Sequence, residues 1–328
     1  MKWFITGGCG FIGTNLIRRL VDEGGHAIRV YDNLSVGGRS DLEHITSFTE
    51  PDPDSLEGGP ENEVELIVGD IRNEGLVQRA VEGADVIVHL AAQSGVPSSV
   101  EDPRHDFQMN ALGTFNLLEA ARHNKVGRFV FASSAAPIGE CEPPIHEEMA
   151  CKPKAPYGAS KLAGEGYCSA YHGTFGLDTV SLRFGNVYGP LSGHKSSVVA
   201  KFIRRAMQGK VLEVYGDGQQ TRDFIHTHDL TRAIMLAATQ PDIGGELFQI
   251  ATNSETTVND LAAMLVEILK EETSLDQIDI VHTEPRAGDV RRNYSDTSKA
   301  EEVLGWTPEM TLTEGLRRTV RSFQSGQK

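Results

Sequence analysis

The stretch that decides the fold is Lys2-Trp3-Phe4-Ile5-Thr6-Gly7-Gly8-Cys9-Gly10-Phe11-Ile12-Gly13, at the start of a 328-residue chain. Its first residues predict a short buried strand, and a helix with apolar periodicity follows it. Between them, Gly7 allows a tight turn, Gly10 lets a pyrophosphate approach the backbone, and Gly13 lets the helix pack close to the strand. The spacing is GxxGxxG. We therefore expect a dinucleotide site whose pyrophosphate lies at the helix N-terminus, where free amides and the helix dipole favour negative charge.

The second predicted strand, Ala27 to Tyr31, ends at an acidic residue. Asp32 lies about 20 residues beyond the glycine turn, where a carboxylate can bind both ribose hydroxyls of a dinucleotide. Because that charge would repel a 2′-phosphate, the sequence predicts NAD rather than NADP. Arg39 lies seven residues beyond Asp32, so NADP remains an alternative cofactor.

Three further apolar runs, near residues 65–68, 86–90 and 128–132, end in polar or small residues, as strands of a doubly wound parallel sheet do near their ligand. The second lobe is expected to be smaller and mixed α/β. The last run is followed by Ser133 and Ser134, which we expect at the carboxyl edge of the sheet. The remaining predicted cofactor-binding residues are Phe11, Ile12, Asn33, Asp70, Ile71, Leu90, Ala91, Ala92, Asn110, Tyr157 and Lys161.

Tyr157-Gly-Ala-Ser-Lys161 places a phenol and an ammonium one helical turn apart on one face. A phenol titrates near 10, so action near neutral pH requires a pKa lower by about 3 units, or about 4 kcal/mol. Lys161 is placed to supply that charge. Taken alone, the pair is equally compatible with a surface Tyr and a solvated Lys.

Together, the three glycines, Asp32, Asp70, Ser134 and the Tyr157/Lys161 pair resemble the extended short-chain dehydrogenase/reductase family of nucleotide-sugar epimerases and dehydratases, which has a Rossmann fold. Five further segments match the family in order and extend the resemblance over nearly the whole chain. They are Arg183-Phe-Gly-Asn186-Val-Tyr-Gly189-Pro190, Tyr215-Gly-Asp-Gly218, Arg222-Asp-Phe224-Ile-His, Pro285-Arg286-Ala-Gly-Asp289 and Leu304-Gly-Trp306.

The resemblance implies roles for individual positions. Tyr157 is the general base and acid on a sugar hydroxyl, Lys161 holds the nicotinamide ribose, and Ser134 bonds to the hydroxyl that becomes a carbonyl. Asn186, Arg222 and Arg286 are expected to bind the nucleoside diphosphate, since guanidinium groups match phosphate oxygens. The other predicted substrate-binding residues are Ser94, Val199, Tyr215, Asp289 and Asn293.

The two residues after the catalytic Ser or Thr separate reactions within this family. Dehydratases carry Asp-Glu there and decarboxylases carry a Glu, whereas this chain has Ala135-Ala136. Because loss of water requires a general acid and base, the expected reaction is 4-epimerisation by transient oxidation of C4 and return of the hydride. A 4-keto nucleotide-sugar reductase, a 2-epimerase and a non-catalytic NAD-binding sensor remain alternatives.

Two departures from the family pattern leave the identity of the substrate sugar undecided. Pro137-Ile138 replaces a Val-Tyr pair that borders the sugar, and Asn293 is intermediate in size at a position that limits the pocket. UDP-hexose, UDP-N-acetylhexosamine and UDP-hexuronate are all compatible, and UDP is the expected carrier by resemblance.

Composition predicts a cytoplasmic enzyme. A formal charge of −15 and a pI near 5.2 argue against nucleic acid or an anionic membrane as partner. Apolar runs are of strand length, and no leader is evident at the N-terminus. Four cysteines and eleven histidines show no metal-ligand spacing, and His226 and His228 are expected to be structural.

We predict two lobes. Residues 1–180, with about 225–250, would form the NAD-binding Rossmann domain, and residues 181–224 and 251–328 the nucleotide-sugar-binding lobe. Helices predicted at 100–124 and 157–175 are expected to pair in a homodimer, as the family resemblance implies.

Overall fold

The computed structural model describes residues 1–60, 63–285 and 290–326. Within these ranges, the strands are β1 (Lys2–Thr6), β2 (Ala27–Asp32), β3 (Val64–Val68), β4 (Val86–His89), β5 (Arg128–Ser134), β6 (Thr179–Phe184), β7 (Asn186–Tyr188), β8 (Leu212–Tyr215), β9 (Thr221–Arg222), β10 (Phe224–His226), β11 (Leu247–Ile250), β12 (Thr256–Thr257) and β13 (Ile280–Thr283). The α-helices are α1 (Phe11–Glu23), α2 (Arg39–Glu43), α3 (Glu74–Ala80), α4 (Val96–Glu101), α5 (Pro103–Asp106), α6 (Gly113–His123), α7 (Pro156–Phe175), α8 (Val198–Met207), α9 (Thr227–Thr239), α10 (Val258–Glu272), α11 (Ser298–Leu304) and α12 (Leu312–Gln324). A 3₁₀ turn covers Pro53–Ser55, and π-helical turns cover Phe107–Leu112.

The central sheet has seven described strands in the order β3-β2-β1-β4-β5-β6-β11, and every pair is parallel. This confirms the predicted doubly wound Rossmann sheet. Strand order reverses beside β1, and ligands of such sheets bind outside the carboxyl ends of the strands at that point. Thr6 aligns with Tyr31 on one side and with His89 on the other, so three strands end level there.

Both faces of the sheet are covered, because the strand residues alternate between two apolar layers. Trp3 and Ile5 pack on one face in a layer shared with α1 and α9. Phe4 and Phe131 point to the other face, in a layer shared with α3, α6 and α7. The strands therefore read as continuous apolar runs in the sequence.

A third apolar cluster, centred on α8, α10 and α12, forms away from the sheet. Two pairs of short strands, β8 with β13 and β9 with β12, flank it. The chain returns to the main sheet between these parts, where α9 packs on one face and β11 pairs with β6. The predicted lobe boundaries stay a prediction.

The helix predicted for residues 100–124 is interrupted. Pro103 has no amide N–H to donate to a preceding turn, so a new helix begins there. The Asp102 side chain caps it by accepting from the His105 amide at 3.0 Å. Among the helices of the described ranges, none combines the length and apolar character that a bilayer-spanning segment needs.

Candidate active site

The glycine turn joins β1 to α1 through close backbone contacts. Gly7 has φ +67°, and a Cβ on it would lie 2.8 Å from the Ala91 amide nitrogen. A Cβ on Gly13 would lie 2.5 Å from the Gly7 carbonyl oxygen, so only glycine lets α1 approach this turn. A Cβ on Gly10 would meet only the Gly7 oxygen, at 3.1 Å, and its other side is open. The turn thus presents unobstructed backbone at the start of α1.

Asp32 ends β2 beside this turn and is buried. Its Oδ2 accepts from the Cys9 amide at 2.9 Å, and its Oδ1 accepts from the Leu34 amide at 2.8 Å. Burial raises the pKa of Asp32, although these two bonds oppose the shift. Each carboxylate oxygen keeps a lone pair for a further donor, so the group can accept from ribose hydroxyls while it holds the turn.

Arg39 pairs with Glu50. Its guanidinium donates to both carboxylate oxygens of Glu50, at 2.8 and 2.7 Å, and Arg39 is absent from the described lining of the neighbouring cavity. Nothing in this arrangement favours a 2′-phosphate.

A cavity of about 360 Å³ runs from the glycine turn along the carboxyl ends of the strands. It brings most of the predicted cofactor-binding residues together with five of the predicted catalytic or substrate-binding residues. Those lining it are Gly7, Gly10, Phe11, Ile12, Gly13, Asp32, Asn33, Ile71, Leu90, Ala91, Ala92, Ser94, Ser134, Tyr157, Lys161 and Asn186.

Two predicted cofactor-binding residues, Asp70 and Asn110, are not among the described lining residues. Asp70 accepts from the Arg72 guanidinium at 2.9 and 2.7 Å, which lowers the pKa of that carboxyl. Asn110 exchanges hydrogen bonds with the Gln93 backbone at 2.8 and 2.9 Å. Both side chains therefore position neighbouring backbone.

Tyr157 and Lys161 project from the first turns of α7 toward the end of β5. Lys161 is 3% exposed, and its Nζ donates to the Ala132 carbonyl oxygen at 2.7 Å. Burial lowers the pKa of Lys161 to about 8. Burial raises the pKa of Tyr157 to about 12, although a hydrogen bond with Ser134 opposes the shift. The pKa of Tyr157 therefore moves opposite to the expected direction, because desolvation of the phenolate outweighs the hydrogen bond with Ser134.

A buried carboxylate that sequence reasoning missed holds this part of α7 in place. Asp106 is 1% exposed and accepts from Ser160 Oγ at 2.6 Å and from Asn110 Nδ2 at 2.8 Å. Its charge raises the pKa of both Tyr157 and Lys161, although burial sets the net shift of each. The YGASK spacing identifies Ser160, but no local pattern pairs it with Asp106.

Another missed group supports Ser133, the neighbour of Ser134. Glu165 Oε1 accepts from Ser133 Oγ at 2.6 Å and from Arg183 Nε at 2.8 Å. Arg183 is 2% exposed, and its Nη2 reaches Glu165 Oε2 at 2.7 Å. This buried ion pair joins α7 to β6 directly beneath the cavity.

The remaining predicted substrate-binding residues lie outside the described cavity lining. Val199 is buried in α8, and the Tyr215 hydroxyl accepts from Lys201 Nζ at 3.1 Å. Arg222 Nη1 donates to the carbonyl oxygens of Thr221 and Val290, and the Asn293 amide donates to Thr221 Oγ1 at 3.4 Å. Arg286 and Asp289 lie outside the described residues.

One cluster has the composition of a metal site. Ligand atoms of His228, Asp229 and Glu309 lie within 4.8 Å of one another. Two arginines already supply positive charge there: Arg19 Nη2 lies 3.0 Å from His228 Nδ1, and Arg232 Nη2 lies 2.6 Å from Glu309 Oε1. The cluster is an ion-pair network that fixes α9 to the segment before α12.

The residues present fit a dinucleotide. Backbone amides at the start of α1 can bind a pyrophosphate, the Asp32 carboxylate can accept from ribose hydroxyls, and an open cavity leads from both toward Tyr157. This combination of fold and site defines an extended short-chain dehydrogenase/reductase.

Comparison with known proteins specifies the family. Residues 3–251 match the model of the NAD dependent epimerase/dehydratase family, and the chain belongs to this family. Membership confirms NAD as the predicted cofactor.

The relatives include more than one reaction type. The UDP-glucose 4-epimerase of Mycolicibacterium smegmatis is 34% identical, and the alignment covers 99% of each chain. A dTDP-glucose 4,6-dehydratase of Streptomyces niveus is 32% identical over 99% of this chain and 93% of its own length. Among solved structures, the UDP-glucose 4-epimerase of Thermotoga maritima with UDP-glucose has a TM-score of 0.87 and 33% identity, covering all of both chains.

Proposed function

We propose that this protein is an NAD-dependent nucleotide-sugar 4-epimerase that acts on a UDP-linked hexose, N-acetylhexosamine or hexuronate. One observation carries the proposal: a single cavity holds the glycine turn, Asp32 and the Ser134/Tyr157/Lys161 group, and its described lining lacks a second carboxylate.

The three catalytic side chains have separate tasks. Tyr157 removes the proton of the C4 hydroxyl and later returns it to the 4-keto oxygen. Ser134, hydrogen-bonded to Tyr157, steadies the same oxygen in both states. Lys161 holds the nicotinamide ribose and contributes the positive charge that favours the phenolate. NAD supplies the reversible hydride acceptor, so it is not consumed overall.

The pKa of Tyr157 must fall during the catalytic cycle. A phenol with a pKa of about 12 is almost wholly protonated at neutral pH and therefore cannot act as the base that accepts the C4 hydroxyl proton. Cationic charge at Lys161 and hydrogen bonds to the bound hydroxyl both favour the phenolate. The chemistry is therefore expected to depend on an occupied site.

The charge of the lining favours epimerisation over dehydration. Asp32 is the sole carboxylate among the described lining residues, and the backbone of the glycine turn engages it. Ala135 and Ala136 follow Ser134 and cannot transfer protons. Elimination of water from the sugar would need an acid and a base near Tyr157, whereas return of the hydride needs neither.

Recognition of the substrate diphosphate is assigned to Asn186, Arg222 and Arg286, with Asp289 on the nucleotide ribose. Asn186 lines the cavity, and Arg222 lies in β9 of the neighbouring lobe. Support comes from relatives named for UDP-glucose.

We further propose a cytoplasmic homodimer. Exposed apolar side chains gather on α4, on the π-helical turns and on α7, and patches of this kind mark association surfaces. The most exposed are Val96, Val100, Phe107, Leu112, Tyr167 and Phe175.

An NMR time course tests the reaction. Purified protein is incubated with NAD and with UDP-glucose, UDP-N-acetylglucosamine or UDP-glucuronate, without a reductant. We expect an axial 4-OH epimer that approaches a fixed ratio without net NADH. A 6-deoxy-4-keto product would instead establish a dehydratase. In a separate incubation with NAD(P)H and a 4-keto nucleotide sugar, stoichiometric loss of NAD(P)H would establish the reductase.

A further inference from the structure

Lys195 lies in the loop between β7 and α8 and was not singled out by any sequence motif. It lines the main cavity and also a second cavity of about 20 Å³ that borders Cys9, Gly10 and Phe11 of the glycine turn. Its Nζ lies 5.9 Å from the centroid of the Phe11 ring. The loop thus places an ammonium group beside the first turn of α1.

Two contacts hold this loop on the nucleotide-binding half of the molecule. Asn15 Nδ2, on α1, donates to the Pro190 carbonyl oxygen at 3.0 Å. His194 Nε2 lies 3.5 Å from Asp41 Oδ1 on α2. Both contacts are made by residues that precede Lys195, and they hold this part of the loop against α1 and α2.

The ammonium of Lys195 has no counter-charge among the residues that the structure describes. Lys161 and Lys195 are the cationic side chains of the described cavity lining, and Lys161 already donates to Ala132. No hydrogen-bond acceptor or carboxylate within the described ranges pairs with Lys195 Nζ. The side chain is half-buried, and burial lowers its pKa. In a chain with a formal charge of −15, an unpaired cation inside a cavity favours an anionic ligand.

We propose that Lys195 binds the diphosphate of the dinucleotide at the glycine turn, an inference that rests on the proposed function. The turn offers neutral backbone amides, and Lys195 supplies the charge that they lack. Because Lys195 precedes α8 of the other lobe, its contact also ties bound cofactor to that lobe. The substrate diphosphate has the same chemistry and is the other possible source of the anion.

Binding measurements separate these sources without turnover. Purified protein freed of bound nucleotide is titrated calorimetrically with NAD, ADP, adenosine and UDP. The variants are Lys195→Gln and Lys195→Arg, and the matched control is Lys270→Gln, which removes the same charge from an exposed position on α10.

We expect Lys195→Gln to bind NAD and ADP about 10- to 100-fold more weakly, as for loss of a charge-assisted hydrogen bond. Adenosine and UDP should bind as they do to wild type, Lys195→Arg should recover most of the affinity, and Lys270→Gln should match wild type throughout.

Unchanged NAD and ADP affinity in Lys195→Gln would overturn the proposal. Weaker binding of UDP alone would assign Lys195 to the substrate diphosphate. Equal losses of affinity for adenosine and for ADP would show that the loop has collapsed. Either result would also overturn the proposal. Because the readout is binding, a wild-type protein that binds NAD but converts no nucleotide sugar contradicts the proposed function alone.

Discussion

Gly13→Ala tests how the close approach of α1 to the glycine turn creates the cofactor site. The added Cβ would lie 2.5 Å from the Gly7 carbonyl oxygen and 2.5 Å from Gly8 Cα. Unstrained contacts between carbon atoms are about 3.5 to 4.0 Å, so roughly 1 Å of overlap must be relieved. Both neighbours are backbone, and neither can rotate away.

The expected cost follows from that overlap. Forcing a methyl group into a packed site costs about 1 to 3 kcal/mol, and the upper end applies where backbone must move. The higher helix propensity of Ala returns up to about 1 kcal/mol. The net loss is about 2 kcal/mol, which for a chain of 328 residues corresponds to a melting temperature lower by about 3 °C.

Displacement of the turn should also affect the cofactor. Backbone amides that bind an anion contribute about 1.5 to 3 kcal/mol each, so loss of one weakens NAD binding by about 10- to 100-fold. Thermal unfolding and NAD titration calorimetry measure the two effects on one preparation.

Gly173→Ala is the matched control. Gly173 lies in α7, and its added Cβ meets nothing within 4 Å in the described protomer. Helix propensity alone predicts a small gain in stability with unchanged NAD affinity. A Gly13→Ala protein as stable as wild type, with undiminished NAD affinity, would refute the packing argument.

Four further predictions follow from the site and its surroundings. Tyr157→Phe should lower kcat in the NMR assay by about 10²- to 10⁴-fold while the affinity for NAD stays unchanged. A variant as active as wild type would show that Tyr157 does not transfer the proton. Asp32→Asn should weaken NAD binding about 10-fold or more and reduce the preference for NAD over NADP, measured by titration with both dinucleotides, because the side chain loses its charge and one of the two oxygens that accept from backbone amides. His226 has a pKa lowered to about 4 by burial, and its Nδ1 caps α9 by accepting from the His228 amide at 3.0 Å. Since the unfolded chain binds a proton on this imidazole at higher pH than the folded chain does, the contribution of His226 to the free energy of unfolding is complete above pH 6.5 and falls by about 3 kcal/mol toward pH 4. Urea titrations of His226→Asn should show a smaller loss of stability on acidification than wild type. An equal loss in both proteins would show that this histidine is not the cause. Phe107→Glu, at a side chain 61% exposed, should yield monomers in analytical ultracentrifugation; unchanged dimers would place the interface elsewhere.

Sequence patterns predicted the features that local geometry controls. A strand, three glycines and a helix impose one turn, because only glycine permits φ +67° at Gly7 and the 2.5 Å approach at Gly13. Asp32 follows from its place at the end of the adjacent parallel strand. Helical periodicity put Tyr157 and Lys161 on one face of α7.

Local patterns were less informative where a proline intervened. The predicted helix over residues 100–124 divides at Pro103, and the following turns are π-helical before α6 begins at Gly113. The interruption places Asp106 and Asn110 against α7, where they support Ser160 and the loop after β4.

Tertiary structure alone decided the electrostatics of the site. Asp106 meets Ser160 across 54 residues of chain, and Lys161 meets the carbonyl of Ala132 across 29. Such contacts depend on how distant segments pack, and so does the desolvation that raises the pKa of Tyr157. Lys195 belongs to no motif, and only the folded loop places its ammonium, unpaired among the described residues, beside the glycine turn. The sequence by itself determined which backbone can receive a dinucleotide, and the packing of segments far apart in the chain determined which charges surround it.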